Sequence, residues 1–436
     1  MMNQLRTATK IMVETKTSIL DEFSVQIQTN TPDTEYKITL SAEDDHNKGF
    51  ESHAMFKSDQ TGFIDLTTQA PTSGSYQKID AKGLLYSMKA KDQKERMFVK
   101  HASEPIRFTI KVRDTENHVL DEKTFIRTFK PDHIVREEIR GEVIGTLFYP
   151  AHKNALPAIV ILGGSDASVH EAAAAILASQ GYAVLALAYF GKDGLPKGIE
   201  HIPLEYVDKA FQLLEKKTYV DPLRLGIIGH SRGSELALLY ASHYSKVKAV
   251  IATAPSGAIF SGMVNFQLTS NPAWTYKDMP FEFFPVKNTL KDSLALIHHM
   301  LFRKPYSGIE AMKKNIDDEE KLDLYAIPVQ DINAPIMFFA GSDDHIQPAE
   351  LFTERMRKAL IEHEYKEKHK FMIHAGAGHF SAYPSSLPNM PQTVADTNFM
   401  TFVYGGTKQA NSKAAHQSWQ ETIEFLSEHL GAVEKV

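Results

Sequence analysis

The 436-residue sequence contains no cysteine, which excludes disulfide bonds, thiol catalysis and zinc–thiolate sites. It also lacks any run of ~18 apolar residues, so we expect no transmembrane helix and no membrane insertion. The formal net charge of −6 argues against a nucleic-acid partner, because phosphate binding usually needs a basic face. The first ten residues lack the apolar core of a signal peptide. Together these absences predict a cytoplasmic protein.

The length suggests two or three domains, and the first region that the pattern defines is all-β. Short alternating runs between turn-like stretches predict an immunoglobulin-like β-sandwich domain at residues 11–134. Its expected strands are Phe23–Gln28, Tyr36–Leu40, Ala54–Lys57, Phe63–Leu66, Leu84–Met88, Met97–Lys100, Ile106–Val112 and Phe125–Phe129.

The second region, residues 135–436, alternates strands and helices after an opening hairpin, Val135–Arg140 and Glu142–Phe148. Near-continuous apolar strands indicate a mostly parallel, doubly wound sheet. Residues 254–333 break the alternation and predict an insertion that is either a lid over an acyl pocket or a surface embellishment. Expected strands are Ala158–Leu162, Ala183–Ala188, Leu225–Ile228, Ala249–Thr253, Ile336–Ala340 and Phe371–Ile373, and expected helices are Glu171–Ser179, Leu204–Lys216, Ser234–His243, Leu290–Phe302, Ala349–Leu360 and Ser418–Leu430.

The most informative motif is the turn Gly229-His-Ser-Arg-Gly233 between the third of these strands and the third helix. A G-x-S-x-G sequence in a strand–turn–helix context is the nucleophile elbow of serine hydrolases. It predicts Ser231 as a nucleophile in a strained backbone conformation, with small neighbours at Gly229 and Gly233 to avoid clashes.

A serine nucleophile needs a base and an acid, which in this architecture follow in the order acid and then histidine. The turn Gly341-Ser-Asp-Asp-His345 predicts Asp344 as the acid, with Asp343 as the alternative. The loop after the last strand predicts His379 as the base, and His230 and His345 are the nearer rivals because they adjoin the site.

The backbone N–H of Arg232 and one from Gly164 or Ser165 are the expected oxyanion donors, although the Gly163-Gly164 pair is also compatible with an ordinary strand-end turn. With this triad, acyl transfer through an acyl-serine requires no metal and no organic cofactor.

Further motifs are similar to those of the acyl-CoA thioesterase / bile acid-CoA:amino acid N-acyltransferase family, from about Tyr36 to Leu430. The motifs are Gly83-Leu-Leu-Tyr-Ser-Met88, Gly145-Thr-Leu-Phe-Tyr-Pro150, Ala186-Leu-Ala-Tyr-Phe190, Leu195-Pro196, Leu204-Glu-Tyr206, Gly341-Ser-Asp-Asp-His345, Gly378-His-Phe380 and Tyr404-Gly-Gly406. The resemblance implies a β-sandwich followed by an α/β-hydrolase domain that cleaves fatty or bile acyl-CoA thioesters, which are small-molecule substrates. It also implies a role in fatty acid metabolism and a triad on Ser231, Asp344 and His379. Family members that transfer acyl groups to amino acids typically carry cysteine as nucleophile, so Ser231 favours hydrolysis.

Three rival functions stay open at this point. One is a dienelactone-hydrolase-like carboxylesterase or peptidase, since catalytic residues do not encode the leaving group. The others are an N-acyltransferase and a non-catalytic binding protein. Lys192 and Lys197 are candidates for a CoA phosphate site, although the sequence contains no clear basic cluster that would indicate one. The sequence does not determine the oligomeric state.

Overall fold

The computed structural model describes residues 8–287, 289–302, 304–380, 387–390, 393–397 and 400–431. The predicted end of the second domain, residues 432–436, therefore lies outside the described residues.

The N-terminal region contains two β-sheets. A three-stranded sheet has the order β1-β3-β6, and a larger one runs β2-β10-β9-β4-β5-β7, with β8 also paired to β5. The elements are β1 (Lys10–Met12), β2 (Lys16–Ser18), β3 (Gln26–Gln28), β4 (Glu35–Glu43), β5 (Gly49–Lys57), β6 (Phe63–Asp65), β7 (Ser73–Gly74), α1 (Gly83–Tyr86), β8 (Lys89–Ala90), β9 (Ile106–Arg113) and β10 (Val119–Thr128).

Two strands predicted in this region are wrong. Leu84–Met88 instead contains the helical turn α1, because a short apolar run is compatible with either a buried strand or a buried helix. Met97–Lys100 pairs with no strand in the part of the chain that the structure describes. The Asp45 carboxylate holds this segment instead, binding the Lys100 ammonium at 2.5 Å and the backbone N–H of His101 at 2.9 Å.

The remaining chain forms a strand–helix alternation with further elements between the sixth and seventh sheet strands. The elements are β11 (Ile134–Ile139), β12 (Ile144–Pro150), β13 (Leu156–Leu162), α2 (Glu171–Ser179), β14 (Ala183–Ala188), β15 (Ile202–Pro203), α3 (Leu204–Glu215), β16 (Val220–His230), α4 (Arg232–His243), β17 (Val247–Thr253), β18 (Ser261–Val264), β19 (Gln267–Pro272), β20 (Trp274–Tyr276), β21 (Met279–Pro280), α5 (Leu290–Leu301), β22 (Pro305–Tyr306), α6 (Ile309–Asn315), α7 (Glu319–Asp323), a 3₁₀ turn (Val329–Asp331), β23 (Ile336–Gly341), α8 (Ala349–Glu362), β24 (His369–His374), β25 (Thr393–Thr397), β26 (Met400–Val403) and α9 (Lys408–Leu430).

The central sheet has the order β11-β12-β14-β13-β16-β17-β23-β24. The strands from β14 to β24 are parallel, and β12 pairs antiparallel with both of its neighbours. This arrangement confirms the predicted mostly parallel, doubly wound sheet. The predicted C-terminal helix, Ser418–Leu430, was too short, since α9 begins ten residues earlier, at Lys408.

Alternating residues of the buried strand β13 show why both faces of the sheet are apolar. Ile159 and Ile161 belong to a core cluster with α2 and α9, whereas Val160 and Leu162 belong to a cluster with α3, α4 and α8. Helices therefore cover both faces, and the loops that carry the candidate site residues lie at the carboxyl ends of the strands.

The N-terminal region joins the core on the α2 and α9 side. Its buried residues share one cluster with those helices, and polar contacts flank the junction. The Lys408 ammonium donates to the Met88 carbonyl at 2.8 Å, and Lys82 Nζ lies 2.9 Å from His416 Nδ1.

Candidate active site

Ser231 occupies the turn between β16 and α4, with φ 54° and ψ −120°. This is the left-handed side of backbone space, which a residue with a Cβ rarely adopts. A Cβ at Gly229 would lie 2.2 Å from the Gly233 carbonyl oxygen, and one at Gly233 would lie 2.2 Å from the Gly163 carbonyl oxygen. Both glycines are therefore required by backbone packing around the serine, as the sequence predicted.

The predicted acid and base are in direct contact. Asp344 Oδ2 lies 2.8 Å from His379 Nδ1, and both side chains are buried. The other carboxylate oxygen of Asp344 accepts from the N–H groups of Ile346 and Gln347 at 2.8 and 3.1 Å. Because an ionised carboxylate can only accept, this contact puts the imidazole proton on Nδ1 and leaves Nε2 as the basic nitrogen.

Asp343, the alternative acid, is directed elsewhere. Its Oδ1 lies 3.0 Å from His345 Nε2, and its Oδ2 accepts from the N–H of Gly406 at 2.9 Å. The two adjacent aspartates thus have separate partners, and His345, one of the rival histidines, is paired with Asp343 rather than with Asp344.

The loops that carry the acid and the base are fixed by a Gly-Gly pair that residue-based reasoning alone did not single out. Gly405 and Gly406 have φ 81° and 72°. Gly405 forms a β-bridge with Asp344, and a Cβ there would lie 1.7 Å from the Asp343 carbonyl oxygen. The N–H of His379 donates to the carbonyl of Tyr404, the residue before Gly405, at 2.9 Å. The motif Tyr404-Gly-Gly406 was the available signal.

His230, the second rival base, lies beside His379 with 5.1 Å between the ring centroids. Since His230 immediately precedes Ser231, this packing brings the base loop next to the elbow. The Nδ1 atom of His230 is 2.8 Å from Thr253 Oγ1, and burial lowers the pKa of its imidazole well below the usual value. His230 is therefore a neutral packing residue without a carboxylate partner among the described contacts.

The loop after β13 approaches the serine closely. A Cβ at Gly164 would lie 3.4 Å from Ser231 Cβ. The Tyr189 hydroxyl donates to the Gly163 carbonyl at 2.7 Å. Because N–H and C=O point in opposite directions across a trans peptide, this bond fixes the direction of the Gly164 N–H. Burial raises the pKa of Tyr189, which keeps the hydroxyl protonated as a donor.

The side chain of Arg232 has a role that the sequence did not indicate. Its guanidinium pairs with the fully buried Glu235 at 2.7 Å and donates to the Ser261 carbonyl at 2.9 Å. Glu235 also accepts from the Trp274 indole N–H at 2.7 Å and from the Phe260 N–H at 3.0 Å. The first turn of α4 is thereby tied to the beginning of the inserted segment.

A cleft of about 1010 Å³ borders the loop after β13 at Asp166–Val169. Lys192 lines this cleft and Lys197 does not. The lining is net acidic, because Arg136, Arg140 and Lys192 face Glu138, Glu142, Asp166, Glu171 and Asp193. This balance disfavours the cleft as the seat of CoA phosphates.

The described ranges contain neither a candidate metal cluster nor a membrane-spanning helix. Within those ranges, no group of three or more His, Asp or Glu side chains is placed to hold a metal ion. None of the helices described there is long and apolar enough to cross a membrane.

Comparison with known proteins gives two family-model matches that together span most of the chain. Residues 202–432 match the model described as "BAAT / Acyl-CoA thioester hydrolase C terminal", and residues 21–141 match "Acyl-CoA thioester hydrolase/BAAT N-terminal region".

Two relatives are similar over most of their length. Human mitochondrial acyl-coenzyme A thioesterase 2 is 28% identical, over 92% of this chain and 80% of the relative. Mouse peroxisomal succinyl-coenzyme A thioesterase is 25% identical, over 98% and 97%. A solved structure of a puromycin-hydrolyzing peptidase from Mycobacterium tuberculosis superposes with a TM-score of 0.44 at 14% identity, over 90% of this chain and 54% of that one.

Proposed function

The chain belongs to the acyl-CoA thioester hydrolase/BAAT family, and from this premise we propose that it hydrolyses acyl-CoA thioesters through an acyl-serine intermediate. The nucleophile is Ser231, the general base is His379, and Asp344 orients and stabilises the imidazole. The observation that carries the proposal is the buried 2.8 Å contact between Asp344 and His379, on a loop packed against the strained Ser231 turn.

The chemistry follows from the parts. Nε2 of His379 takes the hydroxyl proton as Ser231 Oγ attacks the thioester carbonyl, and the Asp344 carboxylate stabilises the imidazolium that forms. The C–S bond then breaks, and the thiolate of CoA leaves with the proton from His379. Water deprotonated by the same nitrogen attacks the acyl-serine and releases the carboxylic acid.

The oxyanion of each tetrahedral intermediate is stabilised by the N–H of Arg232 and by an N–H of Gly164 or Ser165. The Arg232 N–H lies at the N-terminus of α4, where the helix dipole favours negative charge. The closeness of Gly164 to Ser231, and the bond that holds the Gly163 carbonyl, support the second donor.

The acceptor of the acyl group is water in this proposal. A serine ester is the intermediate, and the chain has no cysteine that could form the thioester intermediate of the family's transferring members. We further propose that residues 11–134 are an immunoglobulin-like sandwich domain, that 135–436 are the catalytic domain, and that 254–333 shape the acyl pocket. The cytoplasmic location stays a prediction, since relatives include proteins named mitochondrial and peroxisomal.

The test is hydrolysis of a series of acyl-CoAs, measured by thiol release, beside p-nitrophenyl esters of the same acyl groups. The absence of cysteine removes the protein's own thiol background. We expect CoA esters to show much the higher kcat/KM and Ser231→Ala to be inactive. Turnover of the p-nitrophenyl esters alone would instead indicate a general esterase.

Asp344→Asn and Asp343→Asn form a matched pair for the acid. The first removes the carboxylate that binds His379, and we expect kcat to fall by about 10⁴-fold, as when an orienting aspartate is lost in another serine hydrolase. The second removes only the contacts to His345 and Gly406 and should retain most activity. Equal losses in both variants would contradict the assignment of Asp344.

A further inference from the structure

Helix α5, in the inserted segment, presents an apolar stripe to solvent. Leu290, Leu294, Ile297 and Leu301 are 77, 57, 50 and 75% exposed. Their spacing of four, three and four residues places them on one face of the helix. Phe302 continues the stripe at 64% exposure.

The opposite face of α5 points toward the protein, which inverts the usual orientation of an amphipathic helix. Asp292, Leu296 and His299 are partly buried, and none of the twelve residues of this fully described helix is buried. The helix is nevertheless well terminated, because Thr289 and Asp292 form a capping box. The exposed stripe is therefore a property of a regular helix rather than of an irregular loop.

The size of the stripe argues against a second copy of this chain as its cover. A helix of twelve residues is about 18 Å long and roughly 10 Å wide, so its face offers only a few hundred Å². A stable interface buries about 800 Å² on each partner.

The charge around the stripe has the opposite sign to that of the whole chain. Lys287, Lys291 and Lys304 flank it, and the only acid between positions 287 and 304 is Asp292. The Asp292 carboxylate is occupied by the N–H and hydroxyl of Thr289 at the helix start. The Lys304 ammonium lies 5.9 Å from the Phe302 ring centroid, beside the end of the stripe.

We propose that α5 is an interfacial helix that docks the protein on an anionic lipid surface, with the four aliphatic side chains in the headgroup–acyl boundary and the lysines against lipid phosphates. Such surface contact differs from a membrane span, which the described helices do not provide.

The position of α5 gives this docking a consequence for the active site. The chain passes from α5 to β22, which pairs with β26, and β26 leads into Tyr404. The carbonyl of Tyr404 accepts from the N–H of His379. The β22–β26 pairing therefore links the docking helix to the loop that carries His379. The docking itself does not depend on the proposed function.

The absence of native cysteine allows a direct test. Ile297→Cys, labelled with an environment-sensitive fluorophore, is mixed with vesicles of phosphatidylcholine alone or with an equal part of phosphatidylserine. We expect a blue shift with the anionic vesicles and a much smaller one with the neutral vesicles. The matched control is Leu223→Cys, whose native side chain is 76% exposed near the start of β16 and should report no shift.

Unlabelled variants test the energetics by vesicle flotation. Leu294→Gln/Leu301→Gln removes two stripe residues that are already exposed, so folding should be unaffected, and we expect at least about tenfold weaker binding. The control Leu223→Gln/Ile361→Gln removes exposed apolar groups elsewhere and should bind like the wild type. Equal binding by all three proteins, or an unshifted probe, would overturn the proposal. A concentration-dependent dimer that only the stripe variant abolishes would also overturn it, in favour of a second copy.

Discussion

The strained backbone at Ser231 predicts that replacing this serine by glycine leaves a more stable protein than replacing it by alanine. Both substitutions remove the hydroxyl and abolish activity. Alanine keeps the Cβ and therefore the strain at φ 54° and ψ −120°, whereas glycine adopts this conformation freely. The comparison isolates the backbone from the chemistry.

The expected magnitude follows from two opposing effects. A non-glycine residue held in a sparsely populated region costs about 1–3 kcal/mol. Glycine loses more conformational freedom on folding than alanine, at about 0.5–1 kcal/mol. We therefore expect Ser231→Gly to exceed Ser231→Ala by about 1 kcal/mol in the free energy of unfolding, which reverses the order found at ordinary helical positions.

Urea unfolding with constant m-values measures this difference. Ser234 supplies the matched control, since it lies three residues away inside α4 and donates to the Ser231 carbonyl at 2.6 Å. At position 234 alanine should be the more stable replacement. If alanine is equal to or better than glycine at position 231 as well, the elbow stores no strain and the reasoning fails.

Three further perturbations test the surroundings of the serine. Tyr189→Phe releases the Gly163 carbonyl and should lower kcat with little change in KM. The control Tyr365→Phe loses a similar hydroxyl–carbonyl bond and should lower stability alone. A change in KM without a change in kcat would contradict a role of Tyr189 in positioning the oxyanion donor. Arg232→Met leaves the buried Glu235 carboxylate without its cation and should cost about 3–5 kcal/mol of stability in urea unfolding. Burial lowers the pKa of His230 well below its usual 6.5. Just below pH 6.5, this imidazole is therefore protonated in the unfolded chain and neutral in the folded protein. Stability should therefore fall as the pH drops below 6.5, less steeply in His230→Gln; identical pH profiles would exclude this source.

The central sheet was predictable because its strands are buried on both faces. Predicted and observed bounds coincide for Ala183–Ala188 and for the helix Glu171–Ser179, where apolar runs and turn residues agree. Very short strands such as Ser73–Gly74 and Lys89–Ala90 were missed, because two residues at a sheet edge carry no periodicity. Leu84 shows the opposite problem, since its apolar neighbours fit a helix or a strand equally well.

The candidate site was predictable where a motif fixes geometry and unpredictable where partners are distant in sequence. The elbow glycines follow from the tight turn that they flank. The spacing between Asp344 and His379 follows from the helix and the strand that the fold places between them. The choice between Asp344 and Asp343 rested on motif spacing alone, and the structure pairs Asp344 with the histidine. The bond from Tyr189 to Gly163 spans 26 residues and has no sequence signature.

The buried Arg232–Glu235 pair constrains how the inserted segment can vary. Glu235 accepts from the N–H of Phe260 and the indole of Trp274, so the beginning of the insertion shares hydrogen bonds with the first turn of the elbow helix. Changes there would leave a buried carboxylate short of donors and disturb the helix on which Ser231 sits. Helix α5 has no such tie, because none of its side chains is buried. Substitutions on the exposed face of α5 should therefore leave the Ser231 turn unchanged, whereas substitutions at Phe260 or Trp274 should disturb it.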